Sequence, residues 1–383
     1  MRDSTPPPNS SASRSTSTSA STPRTSRPST GRLHRGVVPP FLLQRIADAP
    51  DPIRSVLTDG PDPAAAARDT LAVDSRLRGA RLAGPARTTP AAPAVGGPQR
   101  TVSDAAGSTE LPGRTVRTEG SAPVEDVSVN EAYDGLGATH ALYAQVYGRD
   151  SIDGAGAPLL ASVHYGRAYD NAFWDGTRMV FGDGDGQVFG RFTDVLSVIG
   201  HELTHGVTQS SAALDYAGQS GALNESVSDV FGALVEQRVR GQDAAHASWL
   251  IGEGLFLPTV QGVALRSMKA PGTAFDDPVL GRDPQPATMA GYVDATDDNG
   301  GVHVNSGIPN HAFYLAATAI GGPAWELPGR VWYRTLTGGS LAPDSDFAAF
   351  AAATLAAAAD LAGAGSAGAQ AVGEAWSAVG VPV

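Results

Sequence analysis

His201-Glu202-Leu203-Thr204-His205 lies inside a stretch, Thr193 to Gln209, that is apolar at Val195, Val198, Ile199, Leu203 and Val207. These positions recur at three- and four-residue steps, so the stretch reads as a helix. On a helix, residues four apart share one face. Two imidazoles so placed both reach one zinc ion at roughly 2.0–2.1 Å. Glu202, beside the first of them, is positioned to act as general base on a water at that ion. A catalytic zinc takes three protein ligands and keeps a fourth position open. The third is offered by a second helix, read from about Leu223 to Arg238, which opens with Ala222-Leu223-Asn224-Glu225-Ser226-Val227-Ser228-Asp229. Glu225 stands 20 residues past His205, far enough for a helical hairpin to bring its carboxylate back to the pair. Asp229 shares a face with Glu225 and can accept the remaining ring N–H of a ligand imidazole, a common arrangement around metals.

Outward from this centre the text changes character. Val129, Ala132, Leu136, Thr139, Tyr143 and Val146 give a helical stripe over Val129 to Tyr147, with Thr139 offering only a methyl group. Arg100 to Asp126 reads as short strands and turns. Leu159 to Val188 also reads as strand and turn, through Ser162-Val163-His164-Tyr165 and Met179-Val180-Phe181 to the turn at Gly182-Asp183-Gly184-Asp185-Gly186. Beyond about Ala312 the chain is rich in Ala and Leu and reads as almost wholly helical. Toward the N-terminus, Val37-Val38-Pro39-Pro40 predicts an extended entry, and Phe41, Leu42, Leu43 and Ile46 a short apolar helical face. A further helix is expected from about Pro63 to Leu82, then a Pro/Ala/Gly-rich linker over 83–99. Residues 1 to about 31 are Ser/Thr/Pro-rich with almost no large apolar side chains, a composition expected to be disordered.

Bulk properties narrow the function. At 383 residues the chain is too long for one ordinary core. It has no cysteine, which excludes disulfides, a thiolate-held zinc and a cysteine nucleophile. No stretch approaches the ~20 apolar residues of a membrane span, and no membrane partner is expected. The N-terminus lacks an apolar core of the kind a conventional signal peptide carries. Net charge is −12, unevenly spread. Residues 1–100 carry 14 Arg against 7 acids, net +7; residues 101–383 carry 13 bases against 32 acids, net −19. The arginines are scattered rather than clustered, which argues against nucleic acid as a partner and for a leader that associates with the acidic body.

The HELTH motif together with Asn224-Glu225-Ser226-Val227-Ser228-Asp229 resembles the thermolysin family of neutral zinc metallopeptidases. Further segments carry the likeness in the same order: Tyr169-Asp170-Asn171-Ala172-Phe173-Trp174, Tyr216, Leu265-Arg266-Ser267-Met268, and Asp298-Asn299-Gly300-Gly301-Val302-His303-Val304-Asn305-Ser306-Gly307. The resemblance covers most of residues 100–383. It implies an α+β, two-lobed fold: an N-terminal β-rich lobe with the HExxH helix (100–210) and a mostly helical C-terminal lobe (211–383), with the metal in the cleft between them. It also implies a zinc endopeptidase cutting on the amino side of bulky hydrophobic residues. In that reading His201, His205 and Glu225 hold zinc, Asp229 orients His201, and Glu202 is the catalytic base. Tyr216 and His303 stabilise the oxyanion, and Asp298 holds His303. Arg266 binds a substrate carbonyl just after the cut, or else serves only as a buried ion-pair partner. Asn171 and the backbone of Ala172 align the substrate strand. Phe189, Phe192, Val198 and Leu265 line the pocket for the residue after the cut.

The leader, residues 32–99, resembles the short helical propeptide of the protealysin-like subgroup through Val38-Pro39-Pro40-Phe41-Leu42-Leu43, with Pro39, Pro40 and Leu42 as its motif. The resemblance implies a proenzyme in which the extended Pro39–Leu43 segment guards the cleft as an inhibitor until self-cleavage within residues 75–100. The cysteine often found ahead of these prolines is replaced by the Arg35-Gly36 region. Family calcium sites look dismantled: Ser197, Ser248, Leu250 and Gly254 stand where acids are usual, and only Glu236 and Glu253 remain as candidate Ca2+ ligands. Asp183 and Asp185 read as turn residues. A monomer acting on peptides or proteins is expected, exported by a route without a conventional signal peptide, with a cytoplasmic location as the alternative. The rival functions are a catalytically inactive homologue acting as a protein-binding module, and a zinc exopeptidase, for which no acidic cluster to hold a free amine is evident.

Overall fold

The computed structural model describes Met1 and residues 35–50, 61–82 and 97–383. The stretch read as disordered, apart from Met1, and most of the linker at 83–99 lie outside the described residues. The first elements among the described residues are β1 (Arg35–Gly36), α1 (Pro40–Ala47) and α2 (Pro63–Leu82). There follow β2 (Arg100–Asp104), β3 (Arg114–Thr118), α3 (Val127–Tyr147), β4 (Leu159–Val163), β5 (Ala172–Trp174) and β6 (Met179–Phe181). Next come α4 (Leu196–Gln209), α5 (Gly218–Arg240) and the two-residue strands β7 (Leu250–Ile251), β8 (Arg266–Ser267), β9 (Asp276–Asp277) and β10 (Gly281–Arg282). The chain finishes with α6 (Asp298–Asn305), α7 (Gly307–Ile320), α8 (Leu327–Thr337), α9 (Phe347–Ala362) and α10 (Ala367–Ala378). This is the α+β, two-lobed arrangement expected, with a helical leader packed on it. No helix of the described residues is long and apolar enough to cross a membrane.

Among the described residues the main sheet has six strands in the order β1-β5-β6-β4-β2-β3. Its middle is parallel, β2 with β4 and β4 with β6, and its flanks are antiparallel. β1 comes from the leader and completes an edge, pairing Arg35 with Trp174 and Gly36 with Phe173. An unpaired edge invites another strand, and here the chain itself supplies one. The expected extended run across Pro39–Leu43 ends at Pro39, because Pro40 opens α1. Proline's fixed φ suits a first helical position, where its missing N–H has no partner to lose. Leu42, Leu43 and Ile46 then bury themselves, each stabilising the dock by about 1.5–3 kcal/mol relative to exposure.

Two expected boundaries shift. The helix read from Thr193 begins at Leu196, because Val195 is extended (φ −109, ψ 103) after a short 3-10 turn at Phe192–Asp194. The helix read from Leu223 begins at Gly218. Gly218 and Gly221 look like breakers, but a Cβ on Gly221 would lie 2.4 Å from Val302 Cγ1. Close packing against Val302 of α6 therefore selects glycine there, and tertiary contact overrides propensity.

The α4–α5 pair positions the site. A Cβ on Gly200 would meet Gly232 Cα at 2.9 Å, and one on Gly232 would meet Ser197 O at 2.4 Å. Facing glycines let the two backbones touch, so short side chains from one helix reach the other. Beyond them, Phe313, Trp332, Phe350 and Trp376 anchor the helical lobe's core.

Candidate metal centre and substrate cleft

His201 and His205, one turn apart on α4, and Glu225 on α5 converge, all fully or almost fully buried. Among the described residues they are the group of three whose ligand atoms lie within 4.8 Å of one another. His201 Nε2 is 3.1 Å from His205 Nε2, and each is 3.5 Å from an oxygen of Glu225. Ligands ~2.0–2.1 Å from one tetrahedral zinc stand ~3.3 Å apart, so these spacings fit a shared ion. The outer ring atoms agree. His201 Nδ1 donates to Asp229 Oδ1 at 2.7 Å, and His205 Nδ1 lies 2.9 Å from Asn224 Oδ1 and 3.0 Å from Ser228 Oγ. With Nδ1 carrying the proton, both Nε2 atoms present lone pairs to the same point, an arrangement that a cation stabilises. Glu225 Oε2 is also buried without a hydrogen bond among the described residues. The donor set fits zinc.

The surroundings are polar and tightly held. Burial opposes ionisation of Glu225, but His303 and His205 outweigh it and keep the carboxyl far below its usual range. Burial likewise opposes Asp229, yet the Arg266 guanidinium beside it holds the carboxyl down at about 2. Burial pushes Glu202 up to about 8. Its Oε2 accepts from Trp174 N at 2.8 Å, and its Oε1 has no hydrogen-bond partner among the described residues. A cation at the histidine pair draws that pKa down again.

Asp298 and His303 come together because α6 starts with a left-handed run: Asp298, Asn299, Gly300 and Gly301 have φ of 47°, 53°, 89° and 71°. Asn-Gly-Gly is suited to that conformation. The turn sets Asp298 Oδ1 2.6 Å from His303 Nδ1, with Oδ2 accepting His303 N at 2.9 Å. Burial alone lowers the His303 pKa, but Asp298 and Glu225 raise it to about 9. His303 Nε2 lies 3.3 Å from the hydroxyl of Tyr216, which itself donates to Glu225 Oε1.

Three of the residues marked for substrate contact, Asn171, Ala172 and Arg266, hydrogen-bond the leader. Val37 N donates to Ala172 O at 3.1 Å. Val38 N donates to Asn171 Oδ1 at 3.0 Å. Arg266 Nη1 donates to Val37 O at 2.9 Å while its Nε and Nη2 grip Asp229, so the buried ion-pair partner also reaches the leader. Val37 is fully buried in the same apolar cluster as Phe189, Phe192, Val198 and Leu265. The contact segment is Gly36–Val38, just upstream of the Pro39, Pro40 and Leu42 motif.

Some contributors were not singled out from the sequence. Asn224 and Ser228 hold His205. Asp74 on α2 accepts from Tyr169 Oη at 2.5 Å and Asn171 Nδ2 at 3.1 Å, and Thr70 Oγ1 accepts from Asp170 N. The Asn224 and Ser228 roles follow helix spacing from Glu225 and could have been read; Asp74 is 97 residues from Asn171 and carries no local signal.

The candidate calcium ligands Glu236 and Glu253 both face Arg240. Arg240 Nη2 lies 2.7 Å from Glu236 and Nη1 lies 3.5 Å from Glu253, while Ser197 Oγ accepts from Gly252 N. Asp183 pairs with His164, and Asp185 Oδ1 accepts three successive backbone N–H groups, from Gln187, Val188 and Phe189, as a turn residue does.

A two-lobed α+β fold with an HExxH helix, a returning glutamate and a cleft-side histidine defines a metallopeptidase. Residues 101–209 match the family described as thermolysin metallopeptidase, catalytic domain, and residues 212–381 match its alpha-helical domain. The chain belongs to the thermolysin family and is a metalloendopeptidase with a propeptide. It is 52% identical over 261 residues to an extracellular metalloprotease of Pectobacterium carotovorum subsp. carotovorum, covering 68% of this chain and 75% of that one. To a thermolysin of Alicyclobacillus acidocaldarius subsp. acidocaldarius it is 42% identical over 263 residues, covering 67% of this chain and 46% of that one. The precursor of protealysin, a metalloproteinase from Serratia proteamaculans, superposes with a TM-score of 0.80 at 49% identity, covering 91% of this chain and 100% of that one.

Proposed function

We propose that this metalloendopeptidase cuts on the amino side of bulky hydrophobic residues, processes its own propeptide, and uses His201, His205 and Glu225 as zinc ligands. The observation that carries the reading is the convergence of those three donors beside Glu202 and His303. Zinc held there supplies Lewis acidity, polarising the scissile carbonyl and lowering the pKa of water to near 7. Glu202 takes a proton from the attacking water and delivers it to the leaving amine. His303 Nε2 and Tyr216 Oη donate to the oxygen on which charge develops, and loss of one such donor typically costs ~10²–10³ in rate. Asp298 keeps the His303 proton on the correct side. Asp229 orients His201 and Arg266. Arg266 takes the carbonyl after the cut, and Asn171 and Ala172 hold the strand extended.

Phe189, Phe192, Val198 and Leu265 make the pocket for the residue after the cut. An apolar pocket takes Leu, Ile, Val or Phe and separates them by only ~1–3 kcal/mol per methylene. Residues 32–99 act as propeptide and inhibitor, 100–210 and 211–383 as the two catalytic lobes, and the chain works as a monomer. The extracellular relatives support action outside the cell. An internally quenched peptide with one Leu tests the reading: cleavage before Leu, abolished by chelation and restored by zinc, supports it. Cleavage unaffected by chelation, or none before apolar residues, overturns it.

A further inference from the structure

We infer that the enzyme's own Gly36–Val37 bond is its first substrate, cut within the same molecule; the inference rests on the proposed endopeptidase function. Three consecutive residues of the leader meet the cleft as a substrate strand. Gly36 O lies 3.2 Å from His303 Nε2, the donor assigned to the oxyanion. Val37 N donates to Ala172 O, and Val37 O accepts from Arg266, the group assigned to the carbonyl after the cut. Val38 N donates to Asn171 Oδ1, and Asn171 Nδ2 returns to Val38 O at 3.4 Å. The strand runs antiparallel to β5, with Gly36 opposite Phe173. Among the described residues, the bond with its carbonyl on His303 and the next carbonyl on Arg266 is Gly36–Val37.

The sequence locks this register. Advancing the leader by one residue would put Pro39 where Val38 donates to Asn171, and proline has no N–H. Retreating by one would put Gly36 in the apolar pocket with no side chain to fill it. Val37 is fully buried, in the apolar cluster that also holds Phe189, Phe192, Val198 and Leu265. Gly36 also belongs where it is, since a Cβ there would lie 2.5 Å from Asn171 Nδ2. Asp74 fixes the Asn171 amide from behind, leaving its Oδ1 aimed at Val38.

The reaction is hydrolysis. Water oxygen bonds to the Gly36 carbonyl carbon, the bond from that carbon to Val37 N breaks, and Glu202 carries the two water protons, one after the other, to Val37 N. The products are a Gly36 carboxylate and a Val37 ammonium. The cut does not free the cleft, because α1 and α2 remain docked through Leu42, Leu43, Ile46 and Ala67. Release needs a second break in the linker.

The test follows zinc-loaded, full-length protein by intact mass and labelling of new N-termini. A new N-terminus at Val37, appearing at a rate independent of protein concentration and absent in Glu202→Gln, is expected. Val37→Asp should slow that cut by at least ~100-fold, because it buries an unpaired carboxylate in an apolar pocket. Hydrolysis of an added Leu peptide with no Val37 N-terminus in wild type overturns the inference and leaves the proposed function standing. A rate that rises in proportion to protein concentration overturns cleavage within one molecule. Hydrolysis of neither the peptide nor the chain removes the proposed function itself, and the inference with it.

Discussion

Arg266 and Asp229 form a buried bidentate pair, Nε to Oδ2 and Nη2 to Oδ1, both at 2.8 Å. Asp229 therefore braces two groups at once, His201 and the arginine that meets the strand in the cleft. Replacing Arg266 by Met leaves Asp229 buried without its main counter-charge, a situation that costs about 3–5 kcal/mol. Arg266→Lys keeps the charge but loses the fork. The expected result is a lowered melting temperature for both, larger for Met, and a kcat/KM reduced ~10–10²-fold for Lys, read by thermal unfolding and peptide kinetics. Unchanged stability in Arg266→Met would contradict the bracing role.

Asp298 holds the His303 pKa up. Burial pulls in the other direction, so removing the carboxylate charge lets the pKa fall from about 9. Where a protonated His303 is needed, activity disappears as pH rises through its pKa. Asp298→Asn should move the alkaline limb of the kcat/KM profile to lower pH, with a smaller change in the acid limb. A full pH profile checks this; an unmoved alkaline limb would separate His303 from the reaction.

Arg240 places a cation between Glu236 and Glu253, where the family pattern has acidic calcium ligands. Its head is about half exposed, so the pair is worth roughly 1 kcal/mol or less. Arg240→Gln should lower the melting temperature by ~1–3 °C. Added calcium should leave the wild-type melting temperature unchanged. A calcium-dependent rise of several degrees in wild type would show that the ion still binds.

His164 bridges two elements through Asp126, the N-cap of α3, and Asp183 in the turn after β6, each at 2.9 Å. Its hydrogen bond to Asp183 raises its pKa from 6.5 to about 9, against some desolvation. A raised folded-state pKa stabilises the fold fully below pH ~6.5 and less as pH climbs through ~9. With solvent screening, roughly 1 kcal/mol is at stake. Wild type should lose that stability between these limits, while His164→Ala should be less stable at pH 6 and show a flatter profile. Parallel profiles for the two proteins would contradict the bridge.

Much of the centre was legible because spacing along a helix is geometry. His201, His205, Glu225 and Asp229 lie on two long helices, so their faces could be read before the fold was known. Helix ends were harder. Val195 leaves the helix despite an apolar pattern, and Gly218–Gly221 joins one because Val302 packs against it. Least legible were contacts made by distant approach. Asp74 to Asn171, Thr70 to Asp170 and the register of Gly36–Val38 depend on where α1 and α2 dock, and no local period encodes that. The proline motif pointed to the right neighbourhood but not to the residues in contact.

The central claim is that Glu202 moves the proton at a metal held by His201, His205 and Glu225. Its most direct measurement is made on Glu202→Gln, which preserves shape and removes the base. The protein should bind one equivalent of zinc by elemental analysis while losing ~10²–10⁴ of kcat on a Leu peptide. Full activity with zinc bound, or loss of the zinc itself, would contradict the account.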